Sequence, residues 1–322
     1  MSRAPQRIRV GYFGKIASRS DFVKAADNPA LVELLDQWLA GAMSQLTAEP
    51  RWKQHYDALA PLHFAFVGTR SRRAVAGHLV SSGDQAQRRY PFLVMCALEV
   101  AAPAAFVPLS PLVLAPLWLT LAPLAGQVLA AADPAAPLHA LAGAVLELDP
   151  ASAEHEDGFL HFLDRHNLAA LRTMLGRREL RRMILAVGLL LQPVRASDAA
   201  RLERGLALPL PQEERYRFPV AAFWLALVGP FLQQGDFELG LFFTALAGRP
   251  ALVVGFGGAA PDTLRAIIDP HCAAEQLIDF EQTDWVDATL AEQPAVQKLS
   301  NYLEQDQLSL RSVYALFHEA FV

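Results

Sequence analysis

The sequence predicts an α/β protein in which strands from both ends of the chain form one composite sheet and the middle is a largely helical insertion; two separate domains are the alternative. Segments of alternating or continuous apolar residues, typical of strands, occur near both ends of the 322-residue chain. Between them the sequence is rich in Ala, Leu and Pro, and its clearest patterns are helical. We therefore expect an N-terminal α/β region over residues 1–100, a helical region over 101–214, and a C-terminal α/β region over 215–322 that packs on the first.

The first elements are a strand and a long amphipathic helix. Apolar and polar residues alternate over residues 7–13, which predicts a strand that Gly14 ends. Asn28 can cap the helix that follows, and Pro29 suits its first turn. Apolar side chains then recur at helical spacing on one face: Leu31, Leu34, Leu35, Trp38, Leu39, Ala42, Met43 and Leu46.

A hairpin and a buried strand complete the N-terminal region. A short helix is predicted over residues 52–58. Residues 62–67 and 74–80 predict two strands joined by the polar turn GTRSRR, with Phe64, Phe66, Val75 and Leu79 as core candidates. Residues 91–98 are almost wholly apolar, which is typical of a strand covered on both faces.

The middle region opens with a run that contains no charged residue, from Val100 to Ala132. This run is longer than a membrane span requires. It is interrupted by five prolines, each of which removes a backbone hydrogen bond that lipid cannot replace. We therefore expect short apolar helices and loops rather than a membrane span. A helical stripe follows over residues 168–191, and loops are expected at 149–158 and at LPLPQEER.

Strands return in the C-terminal region. Residues 238–246 and 251–256 flank AGRP, a tight-turn sequence, and residues 276–280 predict a further strand. Helices are predicted over 262–268, 295–303 and 310–321.

Charge and cysteine usage exclude several classes of protein. The net charge is −5, and the two local arginine clusters, at 70–73 and 177–182, are too small for a nucleic-acid footprint. Cys96 and Cys272 belong to no CxxC pair or Cys/His array, so the sequence predicts neither a disulfide framework nor a metal site. The N-terminus has no long apolar segment of the kind found in signal peptides. We expect a cytoplasmic protein.

Motifs in the first hundred residues resemble those of the TagF (ImpM) family, which is associated with type VI secretion. The family run G-Y/F-F-G-K-I/L-P-x-x-G-D-F reads GYFGKIASRSDF at residues 11–22, with Ala17 and Ser20 in place of its proline and glycine. A helix with an apolar tryptophan face follows, here LLDQWL at 34–39. A segment like S-x-D-x-x-x-R-F/Y-P is met by SSGDQAQRRYP at 81–91. The tryptophan that the family carries after the hairpin turn is absent.

This resemblance implies a non-enzymatic, post-translational negative regulator of type VI secretion. Such a protein engages a forkhead-associated (FHA) scaffold protein and restrains assembly of the apparatus. It implies no cofactor, no nucleic-acid partner and no membrane insertion. The resemblance also implies a three-layer α/β/α sandwich around a mixed sheet, which agrees with the element pattern above. Carried onto this chain, the motifs mark as candidate partner-binding residues Gly14, Lys15, Arg19, Asp21, Phe22, Trp38, Ser82, Asp84, Arg88 and Arg89.

Structural explanations stand beside the functional ones for these residues. Lys15, Arg19 and Asp21 follow the first strand and can form a polar patch for the scaffold. Alternatively, Asp21 satisfies nearby donors or pairs with Arg88 or Arg89. Trp38 is expected in the core. Ser82 and Asp84 suit a turn stabilised by side-chain hydrogen bonds to the backbone.

A second hypothesis is a dinucleotide- or nucleotide-binding enzyme. Residues 251–254 run into GFGGAA at Gly255–Ala260 and then a helix, which fits G-x-G-x-x-A. The cofactor-binding residues would be Gly255, Gly257 and Gly258, with Asp279 near the expected acidic position. An ordinary glycine turn explains the same residues.

Two further interpretations concern the acidic C-terminal residues and the apolar middle region. The acidic side chains of Glu281, Asp284, Asp287 and Glu292 have irregular spacing, so a solvated loop and helix start is expected there rather than a metal site. A structural secretion component that contacts the membrane through the apolar middle region is a third class.

Overall fold

The structure, a computed structural model, describes residues 5–195, 202–290 and 293–322. Its strands, in chain order, are β1 (Gln6–Arg9), β2 (Gly11–Gly14), β3 (Val23–Ala25), β4 (Leu62–Gly68), β5 (Arg73–Val80), β6 (Phe92–Glu99), β7 (Val145–Leu148), β8 (Gly205–Pro209), β9 (Glu238–Leu246), β10 (Arg249–Gly255) and β11 (Leu277–Ile278).

Its helices are α1 (Pro29–Leu46), α2 (Trp52–Asp57), α3 (Pro103–Ala130), α4 (Ala135–Gly143), α5 (Ala153–Arg165), α6 (Leu168–Leu175), α7 (Leu180–Arg195), α8 (Glu214–Leu232), α9 (Pro261–Ile268), α10 (Pro270–Gln276), α11 (Trp285–Leu290), α12 (Pro294–Tyr302) and α13 (Leu310–Phe321).

A nine-stranded mixed sheet forms the centre, in the order β11-β8-β10-β9-β4-β5-β6-β2-β3. Strands from the two ends of the chain meet where β4 pairs antiparallel with β9. Among the described strands of this sheet, β11 pairs parallel with β8 and the other strand pairs are antiparallel. The predicted α/β fold class is confirmed.

Helices cover both faces of this sheet, and each face has its own core. On one face, α1 and α9 pack over aromatic side chains, with Trp38 against Phe64, Phe66 and Phe242. On the other face lie α3 and α8. The Trp118 indole of α3 donates to the Phe64 carbonyl oxygen at 3.1 Å, which anchors this helix to the sheet.

The α1 helix begins as its sequence predicts. The Asn28 side chain accepts a hydrogen bond from the Ala30 N–H at 3.1 Å, and Pro29 occupies the first turn. Most of the predicted apolar face is buried. Leu31 is partly buried, and Leu34, at the edge of that face, is 48% exposed.

The prediction of short helices and loops after residue 100 is wrong, because α3 is one continuous helix of 28 residues. Pro111 cannot donate to the Val107 carbonyl, but the buried Ser110 hydroxyl donates to it instead at 2.8 Å. Pro116 and Pro123 lie on the exposed side of the helix. Within the described residues, α3 is the helix whose length and composition would suffice for a membrane span, and half of its most apolar window is buried in the fold.

The predicted strand over residues 7–13 is divided into two. The chain turns at Val10, whose N–H donates to the Ala144 carbonyl at 3.1 Å. As a result β1 pairs with β7 in a separate two-stranded sheet, whereas β2 enters the main sheet beside β6.

Several remaining predictions are confirmed and others need correction. Both predicted hairpins form, as β4–β5 and β9–β10, and the final helix has the predicted bounds. The loop expected over residues 149–158 is wrong in its second half, where α5 begins at Ala153. The LPLPQEER segment contains the end of β8 and the start of α8, which sequence patterns missed. The strand expected at 276–280 is reduced to Leu277–Ile278.

Candidate functional site

Two loops that carry the sequence motifs meet at one end of the sheet. Residues 15–22 follow β2 and residues 81–91 join β5 to β6; we call them the loop pair. They are adjacent because β2 and β5 both pair with β6. Gly14 is required at this point: its φ is +134°, and a Cβ atom here would lie 2.0 Å from the Pro91 carbonyl oxygen.

A buried carboxylate joins the two loops. Asp84 is 2% exposed, and its Oδ2 accepts hydrogen bonds from Lys15 Nζ at 2.8 Å and Arg88 Nε at 2.7 Å. Its Oδ1 accepts from the backbone N–H groups of Ala86 and Arg88, so it also shapes the second loop. The Lys15 hydrogen bond is the main cause that holds the pKa of Asp84 well below its usual range. Asp84 is therefore ionised at neutral pH and holds the loop pair together.

Lys15 consequently does not lie on an exposed patch. The residue is 8% exposed, and its ammonium is also 4.9 Å from the centroid of the Phe22 ring. The guanidinium of Arg88 makes a second bridge between the loops, since its Nη2 donates to the Ser20 carbonyl at 2.9 Å. Lys15, Asp84 and Arg88 thus position the loops.

Phe22 is partly exposed yet held in place. Its ring stacks on Phe13, with centroids 5.5 Å apart, and meets the edge of Tyr90 at 4.9 Å. The Tyr90 hydroxyl in turn donates to Asp36 Oδ1 on α1 at 2.6 Å. Phe22 still exposes 40% of its surface. An aromatic ring that is both exposed and ordered is suited to protein recognition.

Arg19 and Asp21 are exposed beside this ring. The Arg19 guanidinium lies 3.6 Å from Asp133, and the Arg19 carbonyl accepts from the Gln85 N–H at 2.9 Å. Asp21 accepts a hydrogen bond from the N–H of Phe22 at 2.8 Å. The alternative in which Asp21 pairs with an arginine of the second loop is wrong. Arg88 is bound to Asp84, and Arg89 makes two hydrogen bonds to Asp57, at 2.6 and 2.7 Å.

Trp38 and Ser82 occupy structural positions. Trp38 is 2% exposed in the core under α1, as expected. Ser82 acts through its backbone, whose N–H donates to the Tyr56 hydroxyl and whose carbonyl accepts from it, both at 2.9 Å. Sequence patterns missed Phe13 and Asp36 as members of the site, because their roles depend on contacts across the sheet and with α1.

The loop pair combines exposed side chains with a buried ion pair. Four exposed side chains lie around the buried Lys15–Asp84 ion pair: Arg19, Asp21, Phe22 and Arg88. Across residues 5–195, 202–290 and 293–322, no group of three or more His, Cys, Asp or Glu side chains is placed to hold a metal ion.

The geometry of the Gly255–Ala260 loop does not match dinucleotide binding. A glycine fingerprint needs parallel strands on either side of a crossover helix, but β10 is antiparallel to both β8 and β9. Asp279 follows β11, which pairs with β8 and not with β10, so the acidic residue does not follow a strand adjacent to the one that Gly255 ends. The glycines serve a turn: Gly258 has a φ of +58°, and its N–H donates to the Glu238 carbonyl at 2.6 Å. Gly257 forms a bridge to Glu238.

The acidic C-terminal residues are engaged in ion pairs with the arginine cluster. The expected helix start is confirmed by α11, and the acidic residues before and within this helix contact arginines at and just before the start of α7. Glu292 lies outside the described residues. The pairs are Arg177–Glu281, Arg181–Asp287 at 2.9 Å and Arg182–Asp284 at 2.7 Å.

A family model described as "TagF N-terminal domain, Type VI secretion system-associated" matches residues 11–146. The match extends beyond the loop pair and through α3. A crystal structure of PA0076 from Pseudomonas aeruginosa PAO1 is 25% identical over 41% of this chain and 61% of that chain, with a TM-score of 0.33. The chain thus spans less than two thirds of that protein. No curated protein matches.

Proposed function

We propose that this chain, in which residues 11–146 form a TagF N-terminal domain associated with type VI secretion, is a non-enzymatic, cytoplasmic repressor of that secretion system. It acts after translation, by binding an FHA-domain scaffold protein and restraining assembly of the apparatus. The match to the TagF N-terminal domain carries this proposal, because every motif residue of the loop pair lies inside the matched range.

The loop pair is the surface that we propose for the scaffold. Its apolar centre is Phe22, whose stacking on Phe13 and Tyr90 limits the motion of the ring before a partner arrives. A side chain that is ordered in advance loses less conformational entropy on binding. The exposed charges of Arg19 and Asp21 lie at the rim, where they favour association with a complementary surface.

The direct test is calorimetry of the purified chain with the FHA-domain scaffold from the same secretion gene cluster, phosphorylated and unphosphorylated. We expect saturable binding by the wild type. Phe22→Ala should weaken it by about tenfold or more, as truncation of a central aromatic residue does. The matched control is Trp285→Ala, because Trp285 is also 40% exposed but lies on α11.

A second pair of variants tests the charged rim. Asp21→Ala removes an exposed carboxylate whose described hydrogen bond is to the adjacent Phe22 N–H, so the melting temperature should hardly change. Asp157→Ala removes an exposed carboxylate from α5 and serves as its control. We expect slower association for Asp21→Ala alone, with the difference reduced at high salt.

Three results would count against the proposal. If the folded protein binds neither the phosphorylated nor the unphosphorylated scaffold, the proposed mechanism is refuted. Equal weakening by Phe22→Ala and Trp285→Ala would move the interface away from the loop pair. In cells, deletion of the gene should release secretion without loss of the apparatus, and unchanged secretion would contradict the repressor role.

A further inference from the structure

Two imidazoles interrupt an otherwise apolar row across the face of the sheet that α3 and α8 cover. Residues that are directly opposite on neighbouring strands project from the same face. His78 and His63 are such a pair, at the centre of a row that crosses six strands. From β6 to β8 the row is Val94, His78, His63, Phe243, Leu252 and Leu208.

The two histidines share one hydrogen bond. Their Nδ1 atoms are 3.1 Å apart, so one ring must donate its Nδ1–H and the other must accept through an Nδ1 lone pair. Burial is the main cause that lowers the pKa of His63 to about 3 and that of His78 to about 4. Both rings are therefore neutral at pH 7, and the hydrogen bond forces them into opposite tautomers.

A cavity of about 410 Å³ opens beside His63. Its apolar walls include Phe218 of α8 and Phe243 of β9, whose ring centroids are 5.3 Å apart. Leu119 of α3 also lines it and is 62% exposed, so the cavity reaches the surface. Because the Nδ1 atom of His63 faces His78, its Nε2 atom lies on the side of the ring away from His78.

Arg217 supplies a positive charge to the same cavity. Two of its N–H groups are held by backbone carbonyls, Nε by Pro211 at 3.1 Å and Nη2 by Gln212 at 2.9 Å. Nη1 is 3.5 Å from the Glu214 carboxylate, which is the longest of the three contacts. The Glu214 side chain is 84% exposed. Arg217 and His63 line the same cavity, and the guanidinium contributes to the lowered pKa of His63. An acceptor inside the cavity can replace Glu214 at Nη1.

We propose that this cavity binds a small carboxylic acid with an aromatic or branched apolar body. One carboxylate oxygen accepts from Arg217 Nη1 and the other from the Nε2–H of His63, while the body lies against Phe218 and Leu119. His78 is a positioning residue: it donates its Nδ1–H to His63 and so keeps the proton of His63 on Nε2. This inference is independent of the repressor proposal, because it concerns the face of the sheet that α3 and α8 cover, whereas Phe22 packs on Phe13 and Tyr90 of the α1 face, and because it needs no partner protein.

The test uses benzoate and phenylacetate as probes, with benzamide as the uncharged match, on the purified full chain. Calorimetry measures affinity, and ¹⁵N spectra of histidine-labelled protein follow the His63 Nε2 signal. We expect saturable binding of an acid and a shift of that signal. Arg217→Gln should weaken binding about tenfold or more, as loss of a charge-assisted hydrogen bond does.

A second variant is needed because Arg217→Gln also removes hydrogen bonds to the carbonyls of Pro211 and Gln212 and can disturb that loop. Leu119→Trp fills the mouth of the cavity from an exposed position, so the fold should be retained while binding is lost. Arg215→Gln is the control, because Arg215 is on the same helical turn and 71% exposed.

The proposal would be overturned by no saturable binding of either acid up to about 10 mM. Affinity that is unchanged in both Arg217→Gln and Leu119→Trp would place the acid elsewhere. Equal affinity for benzamide and benzoate would show that the proposed carboxylate contacts do not contribute to binding. A His78→Leu variant, which cannot donate a hydrogen bond to His63 Nδ1, should weaken binding and change the His63 tautomer in the ¹⁵N spectrum, whereas an unchanged tautomer would refute the positioning role.

Discussion

The buried histidine pair predicts that this protein loses stability in mild acid. His63 and His78 are neutral in the folded state, with pKa values lowered from 6.5 to about 3 and about 4 by burial. The unfolded chain takes up protons on these residues as the pH falls through 6.5, while the folded protein does not until much lower pH. The pair's contribution to stability is therefore fully present above pH 6.5 and is progressively lost as the pH falls towards the folded-state values.

The size of the effect follows from these two pKa values. Between pH 7 and pH 5, each histidine lowers the free energy of unfolding by about 2 kcal/mol, so the pair accounts for about 4 kcal/mol. That is a large part of the 5–15 kcal/mol that typical proteins possess. Most carboxylates remain ionised over this interval, which limits their contribution.

Urea unfolding followed by circular dichroism at pH 7, 6 and 5 measures this loss. We compare the wild type with His63→Phe/His78→Leu, which extends the apolar row, and with His161→Gln, which changes an exposed histidine of α5. The double variant should lose most of the pH dependence, and His161→Gln should keep it. A residual slope is expected from His318, whose pKa is also lowered by burial. Equal slopes in the wild type and the double variant would refute the reasoning.

Three further stability predictions can be tested by urea unfolding at pH 7. Gly14→Ala should cost about 3 kcal/mol or more, because φ is +134° and the new methyl group meets the Pro91 carbonyl; an ordinary cost below 1 kcal/mol would show that the chain relaxes there. Trp38→Ala should lower the free energy of unfolding by about 3–5 kcal/mol, because it empties an aromatic core position. A much smaller loss would contradict a core position for this ring. Ala247→Asn should stabilise by about 0.5–1 kcal/mol, because Ala247 has a φ of +48° before Gly248 in a two-residue hairpin turn; destabilisation would contradict this assignment of strain.

Much of the fold can be predicted from local signals. The Asn28 cap with Pro29 predicts the start of α1, and helical periodicity predicts most of its buried face. Alternating residues around polar turns predict the β4–β5 and β9–β10 hairpins. These features depend on neighbours within a few positions along the chain, which is why a single sequence suffices for them.

Local rules fail where a side chain replaces a missing backbone donor or where packing and strand pairing with distant elements decide the outcome. Five prolines argue against a continuous helix at 103–130, yet packing on the sheet and α8, with the Ser110 hydroxyl in place of a lost N–H, sustains α3. The G-x-G-x-x-A spacing at 255–260 is compatible with a parallel crossover. Only the antiparallel pairing of β10 with its two neighbours excludes that arrangement.

By itself, the sequence determined the α/β class, the order of most elements and the motifs that mark residues 11–22 and 81–91. The tertiary structure alone decided what those motif residues do. Lys15 and Asp84 are 69 positions apart, and sheet pairing converts two polar loop residues into a buried ion pair beneath an exposed phenylalanine. His63 and His78 likewise become hydrogen-bonded partners only through strand register. Burial and partner choice set the charge and exposure of a side chain, and both are properties of contacts between distant parts of the chain.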